Sequence, residues 1–429
     1  MKNTDKKRIV IIGLDGVPYD LLKDLSNRDI MPNFRNLRTE GIFKKINSSL
    51  PEESSVSWSS IITGRNPGDH NIFGFTNIIK GTYTLSFTNF LKLKAQAFWQ
   101  NDENKKYIII NVPMTYPAQK LNGFLVSGFV SPDLGKSVYP ISYLNKLKSL
   151  NYQIDVNSSL VHKSISLFFK KLFKTLDNRI KLYRFLWNEI DWDYFMLVFT
   201  GSDRLEHFLW NAYENVEHEY HTDFLEFFRK IDSTIGEIIN RLKKNDSLIM
   251  LSDHGMERTK INVNLNTYLV KEGLLKLGNE PKKRFNNIKE GTQVFALYPS
   301  RIYLNLKGRY PKGIVKSSEI DDLIDKISNL YKKLKFKGDK IIKRVFKKDE
   351  IYHGAYINNA PDLVLLSNEG YNLRANLHRD EIFEADIFPG KHSYDNAFLF
   401  IKDKNNIGLI PENPSVENIV TIIKNLYGE

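Results

Sequence analysis

An α/β fold, with a buried, mainly parallel sheet flanked by helices, is what this 429-residue sequence predicts. Three observations predict it. Short apolar runs end in polar or glycine punctuation, helical periodicity fills the stretches between them, and the strand runs are apolar on both faces. The runs are 8–14 (RIVIIGL), 107–112 (YIIINV), 194–200 (YFMLVFT), 247–251 (SLIML), 362–366 (DLVLL) and 397–402 (AFLFIK). Between them, 224–242 sets Leu225, Phe228, Ile231, Ile235, Ile238, Ile239 and Leu242 along one helical face. Strands alternating with such helices make an α/β architecture rather than a sandwich or a bundle.

Two regions fit the sheet core less well. Residues 135–188 read as a helical cap insertion. Their amphipathic stretch 160–176 (LVHKSISLFFKKLFKTL) carries an apolar stripe through Leu160, Val161, Ile165, Phe168, Phe169, Leu172, Phe173 and Leu176, with Lys163, Lys170, Lys171 and Lys174 elsewhere. Packing against the core is the plain reading, and transient contact with a membrane surface or a lipid substrate is the alternative. Residues 273–350 read as a second, accessory α+β region whose basic run 332–348 reads as a solvated face, with contact to nucleic acid or a polyphosphate partner as the alternative. With no repeat and no low-complexity linker, 1–429 is expected to form a single catalytic domain bearing these two insertions.

Composition narrows the chemistry. There are no cysteines, which excludes disulfide scaffolds, thiolate-bound zinc, iron–sulfur clusters and thiol catalysis. Any metal site must use histidine and carboxylate. The apolar run behind the basic first residues has six members, Ile9 to Leu14, against the roughly 7–15 of a secretory signal. No stretch approaches the roughly 18 of a membrane span, so a soluble, cytoplasmic protein is expected. Lysine and arginine exceed aspartate and glutamate by 62 to 50, a net +12. That excess suits anionic partners but does not by itself point to nucleic acid.

Chemistry-bearing residues gather after the strands. Asp15 follows the first strand (GLDG), Asp203 and His207 follow the third (TGSDRLEHF), and Asp253 and His254 follow the fourth (SDHG). His392 lies in FPGKHSYDN, just before the last strand. Ligands of open α/β sheets bind beyond the carboxyl ends of the strands, where the first five of these fall. The i, i+4 spacing of Asp203 and His207 points both at one centre from a single helical turn. Three aspartates and three histidines without thiols suit two zinc-class ions or manganese rather than a calcium cage. A serine-rich segment, 50–75 (LPEESSVSWSSIITGRNPGDHNIFGF), adds nucleophile candidates at a helix start, where backbone donors await a phosphate oxygen.

The chain resembles the alkaline phosphatase superfamily, in its type I phosphodiesterase/nucleotide pyrophosphatase branch, over nearly its whole length. The resemblance is carried by LDG after the first strand, by MPNFRNL, and by the W-S-S-x-x-T-G-x-x-P-G-x-H pattern of 58–70. SDRLEHFLW, LSDHGM, LNTYLVKEGLLKL, RIYLNLKGRYPKG, APDLV and G-x-H at 390–392 continue it in order. It implies an alkaline-phosphatase-like sheet with a cap or lid formed by insertions. It implies one divalent ion on Asp15, Asp253, His254 and the nucleophile, and a second on Asp203, His207 and His392. The ions would be zinc, with manganese or magnesium as alternatives. Counting back nine positions from Thr63 puts the nucleophile at Ser54, with Ser55 the alternative. Ser55 and Ser57 are substrate-binding candidates. Ser57 stands where nucleotide pyrophosphatases carry asparagine, and Asn71 where a glycine usually follows the histidine.

The implied activity is a two-metal phosphohydrolase cleaving phosphodiester or pyrophosphate bonds of a small phosphate ester through a phosphoseryl intermediate. A phosphomonoesterase, mutase or phosphotransferase acting on a sugar phosphate or lipid headgroup is the alternative within the superfamily. An inactive basic protein binding nucleic acid or membranes is the alternative of another class. Tyr183, Trp187, Trp210 and Tyr213 are either pocket aromatics or core packing. Sequence gives no oligomeric state.

Overall fold

The computed structural model describes residues 6–280, 284–385 and 388–428. The chain divides into two compact units: 1–65, 89–256 and 392–429 form the first, and 66–88 with 257–391 the second. The expected 135–188 insertion lies wholly in the first unit. The 273–350 region lies wholly in the second, which takes in further sequence on both sides.

The first unit is built on one eight-stranded sheet. Its strands are β1 (Ile9–Leu14), β2 (Gly41–Ile46), β3 (Tyr107–Val112), β4 (Gly123–Ser127), β5 (Val138–Tyr139), β6 (Tyr194–Phe199), β7 (Ser247–Leu251) and β8 (Ala397–Lys402). The spatial order is β2-β8-β7-β1-β6-β3-β4-β5. The five strands β7-β1-β6-β3-β4 run parallel. β1, β3 and β6 are buried along their whole length, because helices cover both faces and leave no solvated side to alternate with. Antiparallel strands close both edges: β5 beside β4, and β8 between β7 and β2.

Two features differ from the sequence reading. The run at 362–366 forms the strand Leu363–Ser367, which belongs to the second unit's four-stranded antiparallel sheet and not to the main sheet. An apolar run reports burial, and a strand can be buried in either core. β8 is antiparallel to both of its neighbours, so its first residue, not its last, lies at the carboxyl edge of the parallel strands.

The helices of the first unit are set by identifiable local chemistry. Helix α1 (Pro32–Glu40) begins on proline, and the next two amides, of Asn33 and Phe34, donate to the Asp232 carboxylate at 3.0 and 2.9 Å. This accounts for the MPNF motif: proline needs no partner at the first position, and a remote carboxylate caps the amides that follow. Helix α2 (Ser54–Thr63) is buried at every position and stops at Gly64, whose φ of 63° is left-handed. Helix α3 (Ile165–Glu189) starts where the Ser164 side chain accepts from the Leu167 amide, five residues after the amphipathic pattern begins. Its buried face carries Phe168, Phe169, Leu172, Leu176, Ile180, Tyr183, Leu186 and Trp187. Burying each is worth about 1.5–3 kcal/mol, so this apolar face, and not the exposed lysines, holds the helix. Tyr183 and Trp187 are core residues packed edge to face. Helices α4 (Gly201–Glu214) and α5 (His221–Arg241) complete the same layer.

The second unit has its own apolar core beneath the four-stranded sheet and the helix Ile320–Lys333. Along 332–348, Lys332, Lys333, Lys335, Lys337, Lys340, Lys343 and Arg344 are exposed. That agrees with a solvated basic face. No helix among the described residues is long and apolar enough to cross a membrane.

Candidate active site

The carboxyl edge of the parallel strands is where the sequence candidates meet. In the register of the sheet Leu14 pairs with Phe199, and Gly13 with both Val198 and Leu251. The turns after β1, β6 and β7 therefore leave at one level, carrying Asp15, Asp203 and Asp253. His392 arrives at the same edge because β8 is reversed, and Leu399 lies opposite Leu251.

Close approach at this edge needs glycine twice. A Cβ on Gly13 would sit 2.6 Å from the Trp58 ring, and the Trp58 Nε1–H donates to Asp15 Oδ2 at 3.0 Å. Gly16 has φ +76°, its amide donates to Asp253 Oδ1 at 3.0 Å, and a Cβ there would press on Asp203 at 3.1 Å. The L-D-G motif thus reads physically: the aspartate supplies an inward oxygen, and the glycine turns the chain so that a second aspartate is oriented by its amide.

Each aspartate keeps one oxygen unsatisfied. Asp15 Oδ1, Asp203 Oδ1 and Asp253 Oδ2 are buried and accept no hydrogen bond. The histidines converge on the same space. The Nδ1 atoms of His254 and His392 lie 3.0 and 2.8 Å from the carbonyls of Gly255 and Glu52. With Nδ1–H donating there, both Nε2 lone pairs turn inward. His392 Nε2 is 2.9 Å from His207 Nε2, and each of these two lies 3.3 Å from Asp203 Oδ1. His254 Nε2 lies 3.2 Å from Asp253 Oδ2, 4.0 Å from Asp15 Oδ1 and 4.0 Å from Asp203 Oδ1. Two donor groups result, Asp203–His207–His392 and Asp15–Asp203–His254, with Asp203 in both.

The donor set fits divalent cations. Acceptor-only oxygens and nitrogen lone pairs facing one another repel unless a cation stands between them. Donors sharing a tetrahedral zinc ion lie about 3.3 Å apart, given bonds of about 2.0–2.1 Å, and the spacings of Asp203 Oδ1 to His207 and His392 (3.3 Å each) and of Asp253 Oδ2 to His254 (3.2 Å) are close to that.

The electrostatics carry the same strain. Burial pushes Asp15 well above the usual carboxylate range, and the charges of Asp253 and Asp203 push it further. Burial likewise raises Asp253 to about 7, although the Gly16 amide opposes it. Burial also works against ionised Asp203, but His207, His392 and Arg204 outweigh it and hold that carboxyl well below the usual range. Burial lowers His254 and His392 to about 4, so both are neutral near pH 7.

Ser54 is the first residue of α2 and 2% exposed. Its Oγ is 3.0 Å from His254 Nε2, and the Ser54 and Ser55 amides precede those of Val56 and Ser57, which donate to the Glu53 carbonyl at 2.9 and 3.0 Å. Ser55 Oγ instead bonds Glu53 at 3.3 Å. Ser57 Oγ is held by the hydroxyls of Ser48 and Ser49 at 2.9 and 2.7 Å, and Ser48 donates to the Asp253 carbonyl. All the residues expected to hold metal therefore come together with Ser54, while Ser55 and Ser57 bond elsewhere. Trp210 donates to Glu214 and Tyr213 to Asp24, so these aromatics make structural bonds.

A sequence model of type I phosphodiesterase / nucleotide pyrophosphatase matches residues 9–395. The chain belongs to that family. A search of curated protein sequences finds no match. Among solved structures, phosphonoacetate hydrolase from Sinorhizobium meliloti 1021, in complex with phosphonoformate, aligns with a TM-score of 0.66 at 14% identity. The alignment covers 98% of this chain and 96% of that one. Murine ectonucleotide pyrophosphatase/phosphodiesterase 5, an inactive form in complex with AMP, aligns with a TM-score of 0.56 at 14% identity, covering 99% and 95%. At such identities these neighbours bear out the alkaline-phosphatase-like fold. Family membership supports a hydrolase of phosphoester bonds acting on small phosphate esters.

Two residues of the site were not singled out in the sequence. Glu206 is fully buried, with neither carboxylate oxygen hydrogen-bonded, and burial raises its pKa well above the usual range, helped by Asp203 and Asp253. Arg204 donates to Asp203 Oδ2 at 2.7 Å. The one available signal was helical spacing: Glu206 is i+3 from Asp203 and shares its face.

Proposed function

We propose that this protein is a two-metal phosphohydrolase that cleaves phosphodiester or pyrophosphate bonds of a small substrate through a phosphoseryl intermediate on Ser54. The observation carrying this reading is the convergence of three unpartnered carboxylate oxygens, inward imidazole nitrogens and the Ser54 hydroxyl on one buried space. Asp15, Asp253, His254 and Ser54 would hold one ion, and Asp203, His207 and His392 the other. Asp203 goes to the second set because its Oδ1 is 3.3 Å from His207 and His392 but 4.0 Å from His254. Imidazole with carboxylate suits zinc, with manganese or magnesium as alternatives. Bound ions would favour ionisation of the Ser54 hydroxyl and neutralise charge on the leaving oxygen.

The chain's own groups do the rest. Ser54 gives up its hydroxyl proton to solvent, its Oγ forms a bond to phosphorus while the bond to the leaving oxygen breaks, and that oxygen departs with the electron pair. Water then attacks phosphorus, the Ser54 Oγ–P bond breaks, and the serine oxygen takes a proton from that water. The Ser54 and Ser55 amides at the start of α2 are placed to bind a non-bridging oxygen. In this reading 135–188 is a helical cap on a single catalytic fold, 273–350 is an accessory region, and the protein works in the cytoplasm.

A diester is favoured over a monoester because the guanidinium adjacent to Asp203 is engaged by two carboxylates and is not offered to phosphate oxygens. With zinc supplied, kcat/KM for bis-p-nitrophenyl phosphate should exceed that for p-nitrophenyl phosphate by at least about tenfold, roughly 1.4 kcal/mol. The reverse preference would favour the monoesterase reading, and no turnover of either would count against hydrolysis.

A further inference from the structure

Arg204 is the fourth residue of α4, directly after Asp203. In the structure its guanidinium is clamped. Nη1 donates to Asp203 Oδ2 at 2.7 Å, while Nε and Nη2 donate to Asp155 Oδ2 at 3.1 and 2.9 Å. The guanidinium also lies over the Phe129 ring, 4.5 Å from its centroid. A planar fork with donors on two edges can join two carboxylates in this way, and an ammonium cannot reproduce the geometry.

The far end of the clamp is itself anchored. Asp155 lies on the segment 151–157, where Arg179 Nη2 donates to the Ile154 carbonyl at 2.7 Å and Tyr152 OH donates to Asn111 Oδ1 at 3.1 Å. Arg179 and Asn111 both donate to Thr200 Oγ1, at 3.2 and 3.1 Å, and Thr200 directly follows β6. A buried polar network thus ties Asp155 to the strand whose end carries Asp203. The consequence at Asp203 is asymmetric: Oδ2 is occupied by Arg204, so only Oδ1 faces His207 and His392. The same guanidinium lines a cavity of about 700 Å³ with Phe129, Tyr152, Asp155 and Lys171.

We propose that Arg204 is a positioning residue that holds Asp203 by one oxygen so that the other is presented as a single ligand atom to the ion shared with His207 and His392. Asp155 sets the position of Arg204 and thereby makes the wall of the adjacent cavity part of the support for that ion. The proposal rests on the two-ion reading of the site.

The test is calorimetric titration of metal-stripped protein with zinc, alongside thermal unfolding of the metal-free chain. The wild type should bind two equivalents. Arg204→Ala should weaken one of the two sites by roughly 10–100-fold, the usual cost of losing a partner that orients a metal ligand, and leave the other within a few-fold. Arg204→Lys should recover only part of the loss, and Asp155→Asn should fall between wild type and Arg204→Ala. A merely structural role would lower the unfolding temperature without weakening one site selectively, and that result overturns the proposal. So does an Arg204→Ala variant with both sites at wild-type affinity. If Arg204→Ala does not fold, Asp155→Asn and Arg204→Lys decide by the same criterion. A wild type that takes up no zinc overturns the two-ion reading and this proposal together.

Discussion

Ser54→Ala is expected to lower kcat by on the order of 10⁶, the loss seen when a serine nucleophile is removed, and to leave the fold intact. The hydroxyl is buried and makes one hydrogen bond, to His254, so its loss costs about 1 kcal/mol of stability. Histidine and carboxylate donors remain, and metal content should be nearly unchanged. Ser55→Ala is the matched control. Ser55 neighbours Ser54 in the same buried turn, but its hydroxyl bonds Glu53, so this variant should retain most activity. Steady-state rates on bis-p-nitrophenyl phosphate, with metal analysis of both variants, check the pair. Wild-type turnover by Ser54→Ala, with loss in Ser55→Ala, would transfer the role to Ser55.

Asp203→Asn should disturb metal binding more widely than any other single change at the site. Asp203 belongs to both donor groups and is the carboxylate held firmly ionised there. Replacing it by a neutral amide removes an anionic ligand oxygen, or turns an N–H toward the histidines. It also leaves Arg204 with Asp155 alone. We expect kcat/KM to fall by about 10³-fold or more, roughly 4 kcal/mol, with one equivalent of metal lost on dialysis against a chelator. His207→Ala should lose the same equivalent but spare the donor group around Asp15. An Asp203→Asn variant that keeps both ions and near-normal rates would remove Asp203 from the centre.

Much of this site was legible because its residues sit at strand ends. Asp15, Asp203 and Asp253 each follow an apolar run within a few residues, and a parallel sheet brings such positions to one edge. His392 was legible as a candidate, but its place at this edge was not, because it precedes its strand. Its presence at the edge depends on β8 running antiparallel, and an apolar hexamer carries no direction. For the same reason the strand Leu363–Ser367 could not be told from a strand of the main sheet. Arg204 was hidden differently. Its partner Asp155 lies 49 residues away in sequence, and no periodicity links a loop carboxylate to a helical arginine. Glu206 was hidden because a glutamate between an aspartate and a histidine on a helix ordinarily faces water, and nothing local reports that this one is fully buried.

The central claim, that phosphorus passes through Ser54, is tested most directly by acid quench under single-turnover conditions and peptide mapping by mass spectrometry. With bis-p-nitrophenyl phosphate as substrate, attack by Ser54 Oγ releases one p-nitrophenolate and leaves a p-nitrophenylphosphoryl group on the serine. The adduct should appear on the peptide bearing Ser54, rise with the first p-nitrophenolate, and decay as the aryl phosphate is released. Turnover with no protein-bound phosphorus at any time, or an adduct on another residue, would contradict it.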